Sequence, residues 1–218
     1  RIVAIPKKFR VRIGMMNPDQ ARRILDGLLD GYESEKIYKF LHLPVQSGND
    51  EILEKMKREY TVKDFRKIVE AFRDRFPDLY LSTDIIAGFP GETEEEFQDS
   101  LRLMRETEPD KINITRFTPM PGTDAKKMEQ IDSKIKKRRS KKLTDLYQEL
   151  VYEKNQKFVG EERNGLVIKK GEKGGYMIRL QSYRPVIVNE AKPGDFVKVR
   201  ITGAEPTYLE GEVLEVEK

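Results

Sequence analysis

Three short stretches combine polar side chains with glycine or proline breaks: PVQSGND (44–50), AGFPGET (87–93) and RFTPMPGTDA (116–125). Gln46 and Ser47 can donate and accept hydrogen bonds, and the carboxylate of Asp84, just before the second stretch, can accept from a ribose hydroxyl or an ammonium. Each stretch follows a strand-like run and precedes a helical pattern. In a parallel α/β arrangement all three therefore fall on one rim, at the carboxyl ends of the strands, where such folds bind their ligands. Glycine at 88 or 91 lets backbone approach a bound molecule, although either residue alone is equally explained as part of a turn. Three such breaks on one rim favour a small-molecule site over three ordinary connections.

The elements that must position this rim are legible from periodicity. LYLSTDIIAGF and KIYKFLHLPV are strand-like, as is DKINITRFTPM. NPDQARRILDGLLDGY is helical, with Asn17 or Asp19 near its cap and Gly31 just past its end. NDEILEKMKREY, TVKDFRKIVEAFRDRF and TEEEFQDSLRLMRETE are further amphipathic helices, and Thr61 with Asp64 and Thr93 with Glu96 have the spacing of capping boxes. Strands alternating with helices predict an α/β fold with a parallel sheet. A helical period then runs to about Phe158, after which short strands with glycine turns predict a small closed or nearly closed β-barrel. The expected division is an α/β unit over 1–132, a basic linking helix over 133–159 and the barrel over 160–218.

Composition bounds the chemistry. The 218 residues are 37% hydrophobic, enough for a real core, and 37% charged, which suits a heat-stable protein. No run of about 18 apolar residues occurs, and RIVAIPKKFRVRIG is neither a signal peptide nor a membrane span, so a cytoplasmic protein without a membrane partner is expected. With no cysteine the chain has no disulfides, no thiolate-bound zinc and no thiolates of its own for an iron–sulfur cluster. The single histidine, His42, cannot make a metal site unaided and is expected as a hydrogen-bonded residue in or beside the core, so no metal ligands are assigned.

Net charge is only +4, but the basic residues are clustered. Lys134, Lys136, Lys137, Arg138, Arg139, Lys141 and Lys142 follow one another between Ser133 and Leu143 with no acid among them. In the barrel, 163–200 carries nine basic and three acidic residues, whereas five glutamates crowd 205–217. Lys169, Lys170, Lys173, Arg179 and Arg184 fall on or beside the first hairpin with Tyr176 and Tyr183 interleaved, a pattern suited to phosphate contact and some base stacking. The bland reading is a solvated surface with the tyrosines in the barrel core; RNA binding is favoured.

LHLPVQSGNDEILEKMKREYTVKDF, TDIIAGFPGETEEEF and INITRFTPMPGTDAKKMEQ, in that order and spacing and followed by the barrel, closely resemble the later part of radical S-adenosylmethionine methylthiotransferases. MKREYTVKDF and PGTDAKKMEQ are most similar to the branch that acts on threonylcarbamoyladenosine beside the anticodon of tRNA. Other branches act on isopentenyladenosine in tRNA or on an aspartate of a ribosomal protein. The resemblance implies a partial TIM-type (β/α) barrel followed by a TRAM domain, an OB-like RNA-binding β-barrel. It also implies two 4Fe-4S clusters, one of which reductively cleaves S-adenosylmethionine to a radical that abstracts hydrogen from the substrate carbon. The other is associated with sulfur delivery, and a further S-adenosylmethionine supplies the methyl group.

Carried onto this sequence, the resemblance puts Gln46 and Ser47 near the methionyl and ribose parts of S-adenosylmethionine. Ile86 and Gly88 would meet its adenine, with Phe117, Thr118 and Pro119 along the adenine edge. Asp84 joins this cofactor set, Asn17, Arg116 and Met120 are assigned to substrate selection, and Lys136, Lys137, Arg138 and Arg139 join the hairpin residues in contacting RNA. Both cysteine sets of the family are missing from this sequence, which is therefore expected to be an inactive piece of the enzyme that binds neither cluster. Such a half-barrel leaves strand edges that should either pair with a second copy or be covered by the long helix. A stand-alone RNA-binding module on an α/β scaffold, and an enzyme acting on a ribosomal protein, are the alternative readings.

Overall fold

The computed structural model describes residues 1–171 and 174–217. Strands β1 (Phe40–His42), β2 (Tyr80–Ala87) and β3 (Lys111–Arg116) form a parallel sheet in that order, with Phe40 opposite Tyr80 and Asp84 opposite Asn113. The segment before β1 runs beside it as an irregular neighbour, Val11 and Met15 bridging in parallel to Ile37 and His42.

Helices α1 (Pro18–Arg23), α2 (Leu25–Tyr32), α3 (Asp50–Lys55), α4 (Val62–Arg75) and α5 (Glu94–Thr107) surround this sheet. Strand alternation sends Leu41, Leu81, Ile85 and Ile112 into a core shared with Phe65, Phe72 and Phe97. Full burial of each of these side chains contributes about 1.5–3 kcal/mol. The same alternation leaves Phe40, His42, Tyr80, Ser82 and Asn113 on the opposite, inner face. Both capping boxes form as read: Thr61 and Asp64 close on α4, Thr93 and Glu96 on α5.

Two helical expectations are corrected. The pattern over 17–32 is two helices, broken at Ile24 (φ −126°, ψ 24°), and Gly31 lies inside α2 rather than beyond it. Gly27 and Gly31 weaken local helix propensity, so burial of Leu29 and Tyr32 decides where the chain turns. The helix expected to run to Tyr60 stops at Lys55, Lys57 is left-handed at φ 57°, and the Tyr60 hydroxyl donates to the carbonyl oxygens of Pro44 and Val45 at 3.2 Å each.

Helix α6 (Ser133–Gln156) packs against β3 and places Leu143 and Leu146 in the main core. The strands that follow are β4 (Glu162–Lys170), β5 (Tyr176–Leu180), β6 (Pro185–Val188), β7 (Phe196–Ala204) and β8 (Leu209–Val216). They close in the order β4-β5-β6-β8-β7 around Val167, Ile178, Val186, Val199 and Ile201. Sheet and barrel meet through a buried polar joint: the Arg184 guanidinium donates to Asp110 and Asn155, while the other oxygen of Asp110 accepts the Leu81 N–H at 2.8 Å. Asn155, from the end of α6, also donates to the Glu205 carbonyl at 2.6 Å. Arg184 is only 3% exposed, so its expected role in phosphate contact is withdrawn: it ties the two units together. Among the described residues no helix is long and apolar enough to cross a membrane.

Candidate functional site

At the carboxyl ends of β2 and β3 a cavity of about 730 Å³ opens. Ile86, Phe89, Phe117 and Met56 give it apolar walls, and Phe89 meets Phe117 edge-on with ring centroids 5.1 Å apart. Arg58, Arg116, Thr118 and Met120 line it as well. Lys57, also lining it, bonds to Asp124 at 2.6 Å and so links the loop after α3 to the loop after β3. An apolar slot with backbone and cationic edges fits an adenine ring with a polar tail.

Of the eight residues assigned to the cofactor, Ile86, Phe117 and Thr118 line this cavity, as do Arg116 and Met120 of the substrate set. Asn17 is exposed at the end of the edge segment, its side-chain oxygen capping α1 by accepting from the Asp19 N–H at 3.0 Å. Gln46 holds a left-handed φ of 72° while its backbone pairs with Asp84 and Ile86 of β2, prolonging the sheet past β1. Pro119 is half-buried in the loop after β3.

Two assignments are corrected here. Ser47 is fully buried, and its hydroxyl accepts the Asn49 N–H at 3.2 Å: it shapes the loop rather than facing a ligand. Gly88 has φ 78°, its N–H donates to Glu92 Oε2 at 2.9 Å, and a Cβ placed on it would sit 2.3 Å from Cγ of Lys136. Glycine is required there by the turn and by the Lys136 stem lying across it, and the face expected to meet an adenine is already covered.

On the inner sheet face, Asp84 Oδ1 accepts from Asn113 Nδ2 at 2.6 Å and pairs with His42 Nε2 at 3.0 Å. Burial tends to raise the Asp84 carboxyl, but these two partners outweigh it and hold the group below its ordinary value. His42 is thus the hydrogen-bonded residue expected from sequence, and Asp84, which does not line the cavity, is a carboxylate whose Oδ2 is free of any protein hydrogen bond among the described residues.

The basic run on α6 proves to be mostly paired. Arg139 is 4% exposed and its Nη1 donates to Glu92 Oε2 at 2.8 Å and to the Glu92 carbonyl at 3.0 Å. Lys136 Nζ donates to the Phe117 carbonyl at 3.2 Å, and Arg138 and Lys142 meet Glu94 at 3.5 and 3.1 Å. Glu92 and Glu94 of GETEEEF pair with Arg138, Arg139 and Lys142, so Arg139, buried in its pair, and Lys136, held on the Phe117 carbonyl, are withdrawn from the RNA set and Arg138 is engaged by an ion pair. Lys137, Lys169 and Lys170 are exposed. Arg179 Nη1 donates to the Tyr183 carbonyl at 2.9 Å with its guanidinium 4.2 Å from that ring. Lys173 lies outside the described residues. Tyr176 packs against the barrel core, and Tyr183 packs between Tyr38 and Phe40, at 4.9 Å from each ring.

Sequence reasoning missed Met56, Arg58 and Phe89 as walls of the cavity. Phe89 lies within the AGFPGET stretch already singled out, whereas nothing local in EKMKREY marks Met56 and Arg58 as walls. It also missed Ser100, whose hydroxyl accepts the Gly48 N–H at 2.8 Å and whose Cα lies 2.5 Å from where a Cβ at position 48 would be. This close contact explains the glycine of PVQSGND without a ligand.

Comparison with known proteins agrees with this architecture. The Radical SAM superfamily model matches residues 3–104 and the TRAM domain model residues 156–214. A relative from Archaeoglobus fulgidus, named "Probable threonylcarbamoyladenosine tRNA methylthiotransferase", is 51% identical over 98% of this chain and 50% of its own length. A relative of the same name from Pyrococcus horikoshii is 47% identical over the same shares. The chain thus spans about half the length of the curated relatives it matches. In fold, it is similar to the radical SAM enzyme coproporphyrinogen III oxidase from Escherichia coli, with a TM-score of 0.54 and 14% identity over 88% of this chain and 46% of that one. The α/β unit thus carries a Radical SAM superfamily match, the barrel carries a TRAM match, and nearly the whole of this chain is similar to about half of relatives named as threonylcarbamoyladenosine tRNA methylthiotransferases.

Proposed function

We propose that the protein to which this chain belongs methylthiolates threonylcarbamoyladenosine beside the anticodon of tRNA. The observation that carries the reading is the apolar, cation-edged cavity at the strand ends, in a chain whose α/β unit leads directly into a TRAM barrel. Ile86, Phe117 and Thr118 hold the adenine of S-adenosylmethionine in that cavity, with Pro119 in the loop beside it and Gln46 and Asp84 toward its polar part. Arg116, Met120 and Asn17 lie at the rim on the side of the substrate. Bound S-adenosylmethionine and the iron–sulfur clusters supply the radical, sulfur and methyl chemistry. No cysteine stands among the 218 residues, so thiolate ligands for those clusters have to come from outside them.

Within the chain, the apolar slot excludes water from the base, and Asp84, fixed by His42 and Asn113, presents a charged oxygen to a hydroxyl or ammonium. Lys137, Lys169, Lys170 and Arg179 supply phosphate contacts, so tRNA affinity falls steeply with rising salt. The extended edge at 11–15 is the surface through which the chain alone would self-associate; a mass in light scattering that rises with concentration supports this, and a constant monomer mass refutes it.

The test is nucleoside mass spectrometry on tRNA from cells whose own copy carries Phe117→Asp, a charge placed in the adenine slot. Loss of the methylthio form with threonylcarbamoyladenosine retained is expected. Unchanged methylthiolation would remove the cavity from the cofactor site, and loss at isopentenyladenosine instead would move the protein to another branch.

A further inference from the structure

A second cavity, of about 590 Å³, lies between the inner face of the sheet and the barrel, and both units line it. Three of its lining residues are the cations Arg12, Lys111 and Arg179, and none of its lining residues is an acid. None of the three has an ion-pair partner among the described residues, although such pairs are frequent elsewhere in the molecule. Arg12 and Lys111 are exposed and come from the edge segment and from the start of β3, while Arg179 comes from β5. The carboxylate of Asp84, bonded to His42 and Asn113 of this lining, lies near Lys111 and offsets part of its field, so Arg12 and Arg179 carry most of the surplus positive charge that makes the concavity an anion site.

Aromatic rings complete it. Tyr183 carries the guanidinium of Arg179 at 4.2 Å and that of Arg12 at 5.6 Å, and Tyr208 from the loop before β8 lines the same space. Tyr183 has a φ of 71°, a conformation that non-glycine residues rarely adopt, and its carbonyl is held there by Arg179. Backbone strain is thus maintained where it sets an aromatic ring beside the cations. The volume lies within the usual range for a ligand pocket, and stacking faces beside cations suit a planar base attached to a phosphate.

We propose that this cavity takes one unpaired nucleotide of a bound RNA, its phosphate at Arg12, Lys111 and Arg179 and its base against Tyr208. The inference rests on the RNA-binding reading above and adds to it a site that both units build, so that RNA on the barrel is placed in register with the rim at the other end of the sheet.

The experiment uses the 218-residue chain and three probes: a tRNA anticodon stem-loop with 2-aminopurine in its loop, a blunt duplex of the same stem, and AMP. Binding of the stem-loop with a saturable 2-aminopurine signal is expected. Arg12→Glu with Lys111→Glu, both exposed positions, should weaken stem-loop binding on the order of tenfold or more and the duplex much less. Tyr208→Ala should abolish the 2-aminopurine signal and cost about tenfold in affinity. Thermal melting checks that each variant remains folded, and Arg12→Gln alone serves should the double variant unfold. Equal stem-loop affinity and signal in wild type and variants overturns the inference while leaving RNA binding intact. Binding of AMP without the stem-loop, lost in the variants, reassigns the cavity to a free nucleotide. Failure of the wild-type chain to bind either RNA removes the RNA reading itself.

Discussion

The basic run of α6 and the three cations of the cavity between the units look alike in composition, and their surroundings separate them. On α6, Arg139 is buried against Glu92, Arg138 and Lys142 share Glu94, and Lys136 caps the Phe117 carbonyl. In the cavity, Arg12 and Arg179 lie over the Tyr183 ring, and none of Arg12, Lys111 and Arg179 has an ion-pair partner among the described residues, although Asp84 lies near Lys111. A cation whose field is already cancelled by a fixed acid has little left for a phosphate, whereas an unpaired one in a concave site keeps more of its potential. Density of positive charge along the sequence is therefore a weaker guide to an RNA surface than the positions of the acids that fold against it.

The sharpest break in this comparison is Arg139→Met. It removes the cation from a carboxylate that is itself almost fully buried, and at pH 7 should lower stability by about 3–5 kcal/mol. Urea unfolding gives the number; a loss under about 1 kcal/mol would mean that the pair is no more than a surface contact. The same measurement on Arg184→Met asks whether the joint at Asp110 is equally deep, since Arg184 and Asp110 are similarly buried.

The acid of the α6 clamp makes a prediction of its own. Burial pushes the Glu92 carboxyl from an ordinary 4.5 up to about 6, against the pull of the Gly88 N–H and Arg139. Because the folded value is the higher one, the folded chain keeps a proton that the unfolded chain gives up. Stability should then fall as pH rises from about 4.5 to about 6, by about 2 kcal/mol in all. Glu92→Gln should flatten the curve over that window. A slope that survives the substitution would assign the titration to another group.

Gly88→Ala probes the same clamp from the backbone side. Left-handed φ costs a non-glycine residue about 1–2 kcal/mol, and here the Lys136 stem must move as well. Should the loss appear in stability with S-adenosylmethionine affinity unchanged, Gly88 belongs to the α6 clamp; a loss of affinity alone would return it to the ligand site.

Much of the fold was legible because local chemistry and tertiary need agree: both capping boxes formed, and the switch from alternating strands and helices to short strands marked the barrel. Reading failed where tertiary burial overrode propensity, as at Ile24, where Tyr32 is drawn into the core, and after Lys55, where Tyr60 turns inward. For the candidate site, the three loops were visible, but not what lies across them. Gly88 is covered by a residue 48 positions later and Gly48 abuts Ser100, and neither contact leaves a local mark in sequence. Arg184 read as a surface cation because its partners, Asp110 and Asn155, are far away in the chain.

The smallest effect expected is also the one that separates the two basic regions most cleanly. Arg138 and Lys142 meet Glu94 in exposed geometry, at 3.5 and 3.1 Å, where water screens the pair and long side chains lose freedom on ordering. Replacing both by Gln should cost no more than about 1 kcal/mol, and less at high salt. If their charge is spent on Glu94, stem-loop RNA should bind this variant within about twofold of wild type, while Arg12→Gln in the opposing cavity weakens it by more. Equal losses from the two variants would mean that a shared glutamate leaves α6 enough positive field to hold phosphate, and the distinction between paired and unpaired cations would fail where it is drawn most sharply.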